Sequence, residues 1–83
     1  KPYPAHKFMH YIYLLKNRVS KEVYIGYSKD LKRRIDEHKD KNPELVHYEA
    51  YKSEKDARMR EVKLKQHGQT KRRLKERIQD SLI

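Results

Sequence analysis

Three stretches of the chain carry the apolar runs expected of strands, and three carry apolar residues at helical spacing. Tyr11-Ile12-Tyr13-Leu14-Leu15 is rich in aromatic and β-branched residues, as is Val23-Tyr24-Ile25-Gly26-Tyr27, so each predicts a strand. The polar connection from Lys16 to Glu22, with Asn17 and Ser20, predicts a solvated turn joining them as a hairpin. Ser28 is the expected N-cap of a first helix running to about His38 or Lys39, with Leu31, Ile35 and His38 on one face and Arg34 beside it. Pro43 breaks the chain, and Leu45 to Tyr51 follows as a third strand, expected to be central or covered. Ser53-Glu54-Lys55-Asp56 has the form of a capping box, which starts a second helix expected to stop at Gly68. Its inward stripe is Ala57, Glu61 and Leu64. Thr70 is the expected cap of a last helix, with Leu74, Ile78 and Leu82 along one side of a basic rod. The order ββαβαα predicts a small α+β domain, a three-stranded mainly antiparallel sheet packed by helices.

Composition narrows the picture. In 83 residues only 35% are apolar, so the core is thin and there is room for one domain, expected over residues 9–83. Residues 1–8 hold two prolines and no period, and are expected to be a vector-derived remnant or unstructured arm, with Met9 a candidate initiator. The absence of cysteine excludes a disulfide scaffold, a thiolate zinc site and a cysteine nucleophile, and is compatible with the reducing cytoplasm. The longest apolar run is the five residues from Tyr11 to Leu15, against ~18 to 20 for a membrane span, so no membrane partner is expected.

Charge changes the picture more. Lys and Arg number 22 against 12 Asp and Glu, a formal +10, with eleven basic residues in 1–41 and eleven in 42–83. An evenly basic surface favours polyanions, and nucleic acid is the commonest of them. Lys71, Arg72, Arg73 and Lys75 are candidates for contact with a nucleic-acid backbone, the alternative being a solvated helix face. No P-loop, dinucleotide fingerprint, zinc motif or nucleophile elbow is present. His10, His47 and His67 read as surface or packing residues.

Gly26, one of two glycines, falls inside an apparent strand, where glycine marks a bulge or the close approach of another group. Its neighbours carry more. Tyr11-Ile12-Tyr13, ten residues, Tyr24-Ile25-Gly26, and then Ser28 to His38 with Arg34 eight residues past Gly26 together resemble the GIY-YIG nuclease family. Ala57 to Lys65 is similar to that family's metal-binding helix. The resemblance runs from about His10 to Leu82 and looks most like the short stand-alone bacterial members similar to the excinuclease C nuclease domain. It implies a divalent-metal-dependent endonuclease acting on DNA, or RNA, in repair or recombination. Tyr13, Tyr24, Arg34, His38 and Glu61 would be its catalytic residues, Glu61 its metal ligand and Mg2+ or Mn2+ its cofactor.

Elementary chemistry supports each position. Tyr13 and Tyr24 on paired strands can bring their hydroxyls to one spot if their parity agrees, although tyrosine is also simply a good strand former. Arg34 and His38 are one helical turn apart and can reach one phosphate. A carboxylate on the inward stripe, Glu61, costs several kcal/mol unless paired or bound to metal, and pairing with Arg34 is the alternative. One carboxylate with waters and a substrate phosphate is a pattern that suits magnesium. Three departures from the family stand out: Tyr11 where glycine is usual, Arg73 where many members have asparagine, and a short connection from His38 to Leu45. The competing readings are a non-catalytic nucleic-acid binding module and a protein-interaction domain with an incidental basic surface.

Overall fold

The computed structural model describes residues 9–83, so the reading of residues 1–8 lies outside the described residues. The strands are β1 (His10–Asn17), β2 (Val23–Ser28) and β3 (Pro43–Tyr51), and the helices are α1 (Leu31–Glu37), α2 (Glu54–Gln66), α3 (Gly68–Arg77) and a final turn α4 (Gln79–Leu82). All strand pairs are antiparallel in the order β2-β1-β3. The expected α+β architecture is therefore the one observed. Among the described residues no helix is long and apolar enough to cross a membrane.

The central strand is β1, not β3. Tyr11 to Leu15 is buried without a break, as a strand covered on both faces must be. β3 lies at an edge, with Tyr48 and Ala50 exposed, because its alternation of His47 and Glu49 with apolar residues suits a half-covered strand. Val46 is the extra residue where the β1–β3 register shifts, Leu14 facing His47 but Leu15 facing Leu45.

Two apolar clusters sit on opposite sides of the sheet. One gathers Tyr11, Tyr13 and Leu15 against Leu31 and Ile35 of α1; the other gathers Ile12 and Leu14 against Ala57 and Leu64 of α2 and Leu74 of α3. The alternation along β1 sends odd residues to α1 and even residues to α2.

Helix boundaries differ from expectation in three places. Asp30, not Ser28, caps α1, its side chain accepting from the Arg33 amide; Ser28 ends β2 with its hydroxyl 2.9 Å from both the amide and the carbonyl of Asp30. Ser53 caps α2 as expected by accepting from the Asp56 amide. That helix ends at Gln66, because His67 is extended, and Gly68 opens α3 instead of closing α2. The His67 carbonyl accepts from the Thr70 and Lys71 amides, so Thr70 lies inside the first turn and caps nothing. Of the expected apolar side of the last helix, Leu74 is buried while Ile78 and Leu82 are half-buried, the helix breaking at Ile78. The nearly buried Lys16 ammonium donates to the Leu82 carbonyl and ties this end of the chain to β1. The short connection after α1 is one 3-10 turn, Lys39–Lys41, closed by Asn42 in the left-handed region at φ 48°.

Candidate active site

Pairing of β1 with β2 sets Tyr13 opposite Gly26. The Tyr13 phenol lies directly over that glycine: a Cβ there would collide with its hydroxyl and Cζ and would stand 3.0 Å from Cε1. Gly26 has a negative φ, so close approach, not backbone freedom, explains it. Through this gap Tyr13, whose face of the sheet is covered by α1, reaches the edge at β2, around which α2 also comes. There a cavity of about 620 Å³ is lined by Tyr13, by Ile25 to Ser28 of β2, by Lys29, Arg33, Arg34 and His38 at α1, and by Glu54, Arg58, Glu61 and Lys65 of α2.

Four of the five expected site residues, Tyr13, Arg34, His38 and Glu61, therefore share one cavity wall. The fifth, Tyr24, lies outside that wall. It packs against the α1-side cluster and lines a small adjoining pocket that also touches His38. Lys71, Arg72, Arg73 and Lys75 are on α3 and line none of the site cavity.

Charges around the cavity are arranged in short chains. Arg34 sits 3.6 Å from Glu37 through Nη1, while its buried Nε has no hydrogen-bond partner. Glu61 is not paired with Arg34. Its Oε2 accepts from Lys65 Nζ at 2.9 Å and its Oε1 lies 3.7 Å from Arg58 Nη1, with the side chain only 15% exposed. Arg58 Nε is in turn 3.5 Å from Glu54, and its guanidinium stands 3.7 Å over the Tyr27 ring. Tyr27 Oη is 2.6 Å from His10 Nδ1.

Both cavity tyrosines are held neutral. Burial pushes the Tyr13 phenol above its ordinary 10.0, with Arg34 opposing the rise and the Glu61 and Glu37 carboxylates adding to it. Tyr27 is raised as well, by burial and by Glu54 and Glu61 against Arg58. In the free protein Tyr13 is thus a hydrogen-bond donor to whatever occupies the cavity.

Among the described residues no three His, Cys, Asp or Glu side chains come together as a metal cage. A donor set of one carboxylate that leaves most of a water shell in place fits a magnesium-like ion, and Glu61, on the same wall as Tyr13 and Arg34, is the residue that would supply it. A thiolate-seeking metal does not fit, because the chain holds no cysteine.

Sequence reading missed Tyr27, Arg58 and Lys65 as cavity residues. The signal was available for two of them: Arg58 and Lys65 stand three residues before and four after Glu61, where helical neighbours meet. His10, read as a surface or packing residue, is the hydrogen-bond partner of a cavity tyrosine.

This geometry defines a small α+β domain with an open, cation-rich cleft at a sheet edge. The family whose profile matches the chain is described as the GIY-YIG catalytic domain, over residues 9–77, and the chain belongs to that family. Neither the curated proteins nor the solved structures yield a match to it. Membership makes this a nuclease-family domain, with nucleic acid as its class of substrate.

Proposed function

We propose that the protein is a divalent-metal-dependent endonuclease that hydrolyses phosphodiester bonds in DNA with little sequence specificity. The observation that carries this reading is the convergence of Tyr13, Arg34, His38 and Glu61, from three separate parts of the chain, on one cavity. Within the family we assign it to the stand-alone bacterial type similar to the excinuclease C nuclease domain, acting in the cytoplasm in repair or recombination, a reading that rests on the family likeness covering residues 9–77 of so short a chain.

Glu61 would hold Mg2+ or Mn2+, which when bound would supply positive charge against the negative charge that develops as the ester bond breaks. The neutral Tyr13 phenol orients the water that attacks phosphorus in line. Arg34, which lines the cavity, takes the negative charge that develops on the phosphate oxygens. His38, with Tyr24 beside its pocket, receives the water's proton as the phosphorus–oxygen bond to the leaving group breaks. Lys71, Arg72, Arg73 and Lys75 hold the nucleic-acid backbone away from the cavity.

The test is nicking of supercoiled plasmid with Mg2+, Mn2+ or a chelator, using the native chain and Glu61→Gln. Cleavage is expected to need the metal and to fall at least about a hundredfold in the variant. Since the partners of Glu61 are half-exposed cations, stability should move by less than about 1 kcal/mol. Cleavage that survives chelation, or survives Glu61→Gln unchanged, overturns the mechanism and leaves a nucleic-acid binding module.

A further inference from the structure

We propose that Arg58 and Lys65 are exchange partners of Glu61. They hold its carboxylate in the free protein and pass to substrate phosphates on binding, so that nucleic acid and metal favour one another's binding. This rests on the reading of Glu61 as the metal ligand.

Each Glu61 oxygen already faces a cation, Lys65 at 2.9 Å and Arg58 at 3.7 Å. A divalent ion brought to that carboxylate meets two positive charges within a few ångströms, and its affinity falls accordingly. Both cations also line the cavity that receives substrate, and both are half-exposed, so they are free to turn toward it. Lys65 has Glu61 as its one ion-pair partner among the described residues. Arg58 is guided by more contacts: the Tyr27 face at 3.7 Å and Glu54 at 3.5 Å keep its fork at the cavity wall when it leaves Glu61.

Guanidinium and ammonium groups are the protein's phosphate ligands. A phosphate backbone in the cavity offers both cations a new anion and releases the carboxylate. Metal on Glu61 in turn releases the cations to bind phosphate. Linkage requires the two effects to be equal in size. The arrangement keeps the free protein from holding a loaded metal, and it makes Arg58 and Lys65 positioning residues with no part in the bond-breaking step.

The experiment measures Mn2+ affinity from the resonance signal of free Mn2+, with the protein alone and with a short DNA duplex whose linkages are phosphorothioates, which keep the charge and resist hydrolysis. Binding by the duplex itself is subtracted. Lys65→Met is expected to tighten Mn2+ binding to the free protein by about threefold to tenfold. The duplex should tighten Mn2+ binding to the native chain by a similar factor, and by less in the variant. Lys65→Gln is the second variant should methionine alter folding, monitored by circular dichroism. Unchanged or weaker Mn2+ binding in both variants overturns the exchange, as does a native affinity indifferent to the duplex. Glu61→Gln separates the two levels. If it abolishes Mn2+ binding while the lysine variants do nothing, only the exchange fails; if it leaves Mn2+ binding intact, the ligand reading has failed and the exchange with it.

Discussion

At the scale of single residues, the fit of Gly26 beneath Tyr13 is the contact on which the site depends. Gly26→Ala places a methyl group where the Tyr13 hydroxyl and Cζ now lie. Because the ring is wedged among Tyr11, Leu15, Leu31 and Ile35, it has little room to retreat. We expect a stability loss of roughly 1 to 3 kcal/mol from overpacking. Cleavage should fall further than that loss explains, since the phenol must leave the cavity wall; denaturant melts and plasmid nicking on the same preparation separate the two. A variant with native activity would mean that Tyr13 does not need its present place. Much of this was legible in the chain: the likeness of its motifs to the GIY-YIG family singled out Tyr13, Arg34, His38 and Glu61, and Gly26 stood out as a glycine within a strand. What spacing does not carry is which tyrosine enters the cavity. Tyr24 shares a face of the sheet with Tyr13, but it sits opposite Leu15, away from the gap at Gly26, and packs into the α1-side cluster. Nor does spacing carry the Tyr27–His10 contact, which arises only when β1 and β2 pair.

Elements place those residues, and short ones do so through few contacts. α1 has seven residues, with Asp30 the cap at its N-terminus and no acidic residue in its first turn. Asp30→Ala should cost about 1 kcal/mol. It should also loosen Arg34, whose amide donates to the Asp30 carbonyl at 3.1 Å, so cleavage is expected to drop severalfold with Mn2+ affinity unchanged. Equal losses in both would place the effect in global unfolding. On the other side of the sheet, β3 is joined to α2 by Glu49, which accepts from Arg60 Nε at 2.9 Å and Nη2 at 3.2 Å and from Tyr51 Oη at 2.5 Å, with His47 Nε2 at 3.0 Å. Burial alone would raise the Glu49 carboxyl, but these hydrogen bonds override it and hold it at about 2, below its ordinary 4.5. Tyr51 is pushed up to about 12 by burial and by donating to Glu49. A depressed carboxyl stabilises the fold above the unfolded value and loses that contribution as pH falls toward the folded one. Thermal unfolding should therefore show the native chain losing about 1 to 2 kcal/mol between roughly pH 5 and 2 that Glu49→Gln does not lose, after allowance for solvent screening. Parallel acid profiles would remove Glu49 from the tie. This pair also explains why β3 reads as a covered strand in the sequence: Glu49 is compatible with one, whereas its partner comes from α2 at one face of an edge. The unbroken burial of Tyr11 to Leu15 is the better sign of the centre.

For the molecule as a whole, charge decides how substrate is met. A formal +10 over 83 residues gives a surface that draws polyanions from any direction. The cavity adds Lys29, Arg33, Arg34, Arg58 and Lys65 to that field, whereas Lys71, Arg72, Arg73 and Lys75 ride on α3, outside it. Two groups of cations on different elements imply separable duties. On the function proposed above, those at the cavity would meet the phosphate to be cut, and those on α3 would anchor the backbone beyond it. Each backbone contact neutralised by a cation releases counterions, so log affinity should fall linearly with log salt by about 0.9 per contact on duplex DNA. Replacing Lys71, Arg72, Arg73 and Lys75 together by glutamine should weaken binding equally for unrelated sequences and reduce the salt slope by roughly 2 to 4 if α3 carries the anchor. Leu74, the buried contact of α3, is left in place, so the fold should persist. Cleavage at saturating substrate should stay near native, because none of the four lines the cavity. An unchanged slope in a folded variant would return these residues to solvent and leave the cavity cations as the whole of the nucleic-acid interface.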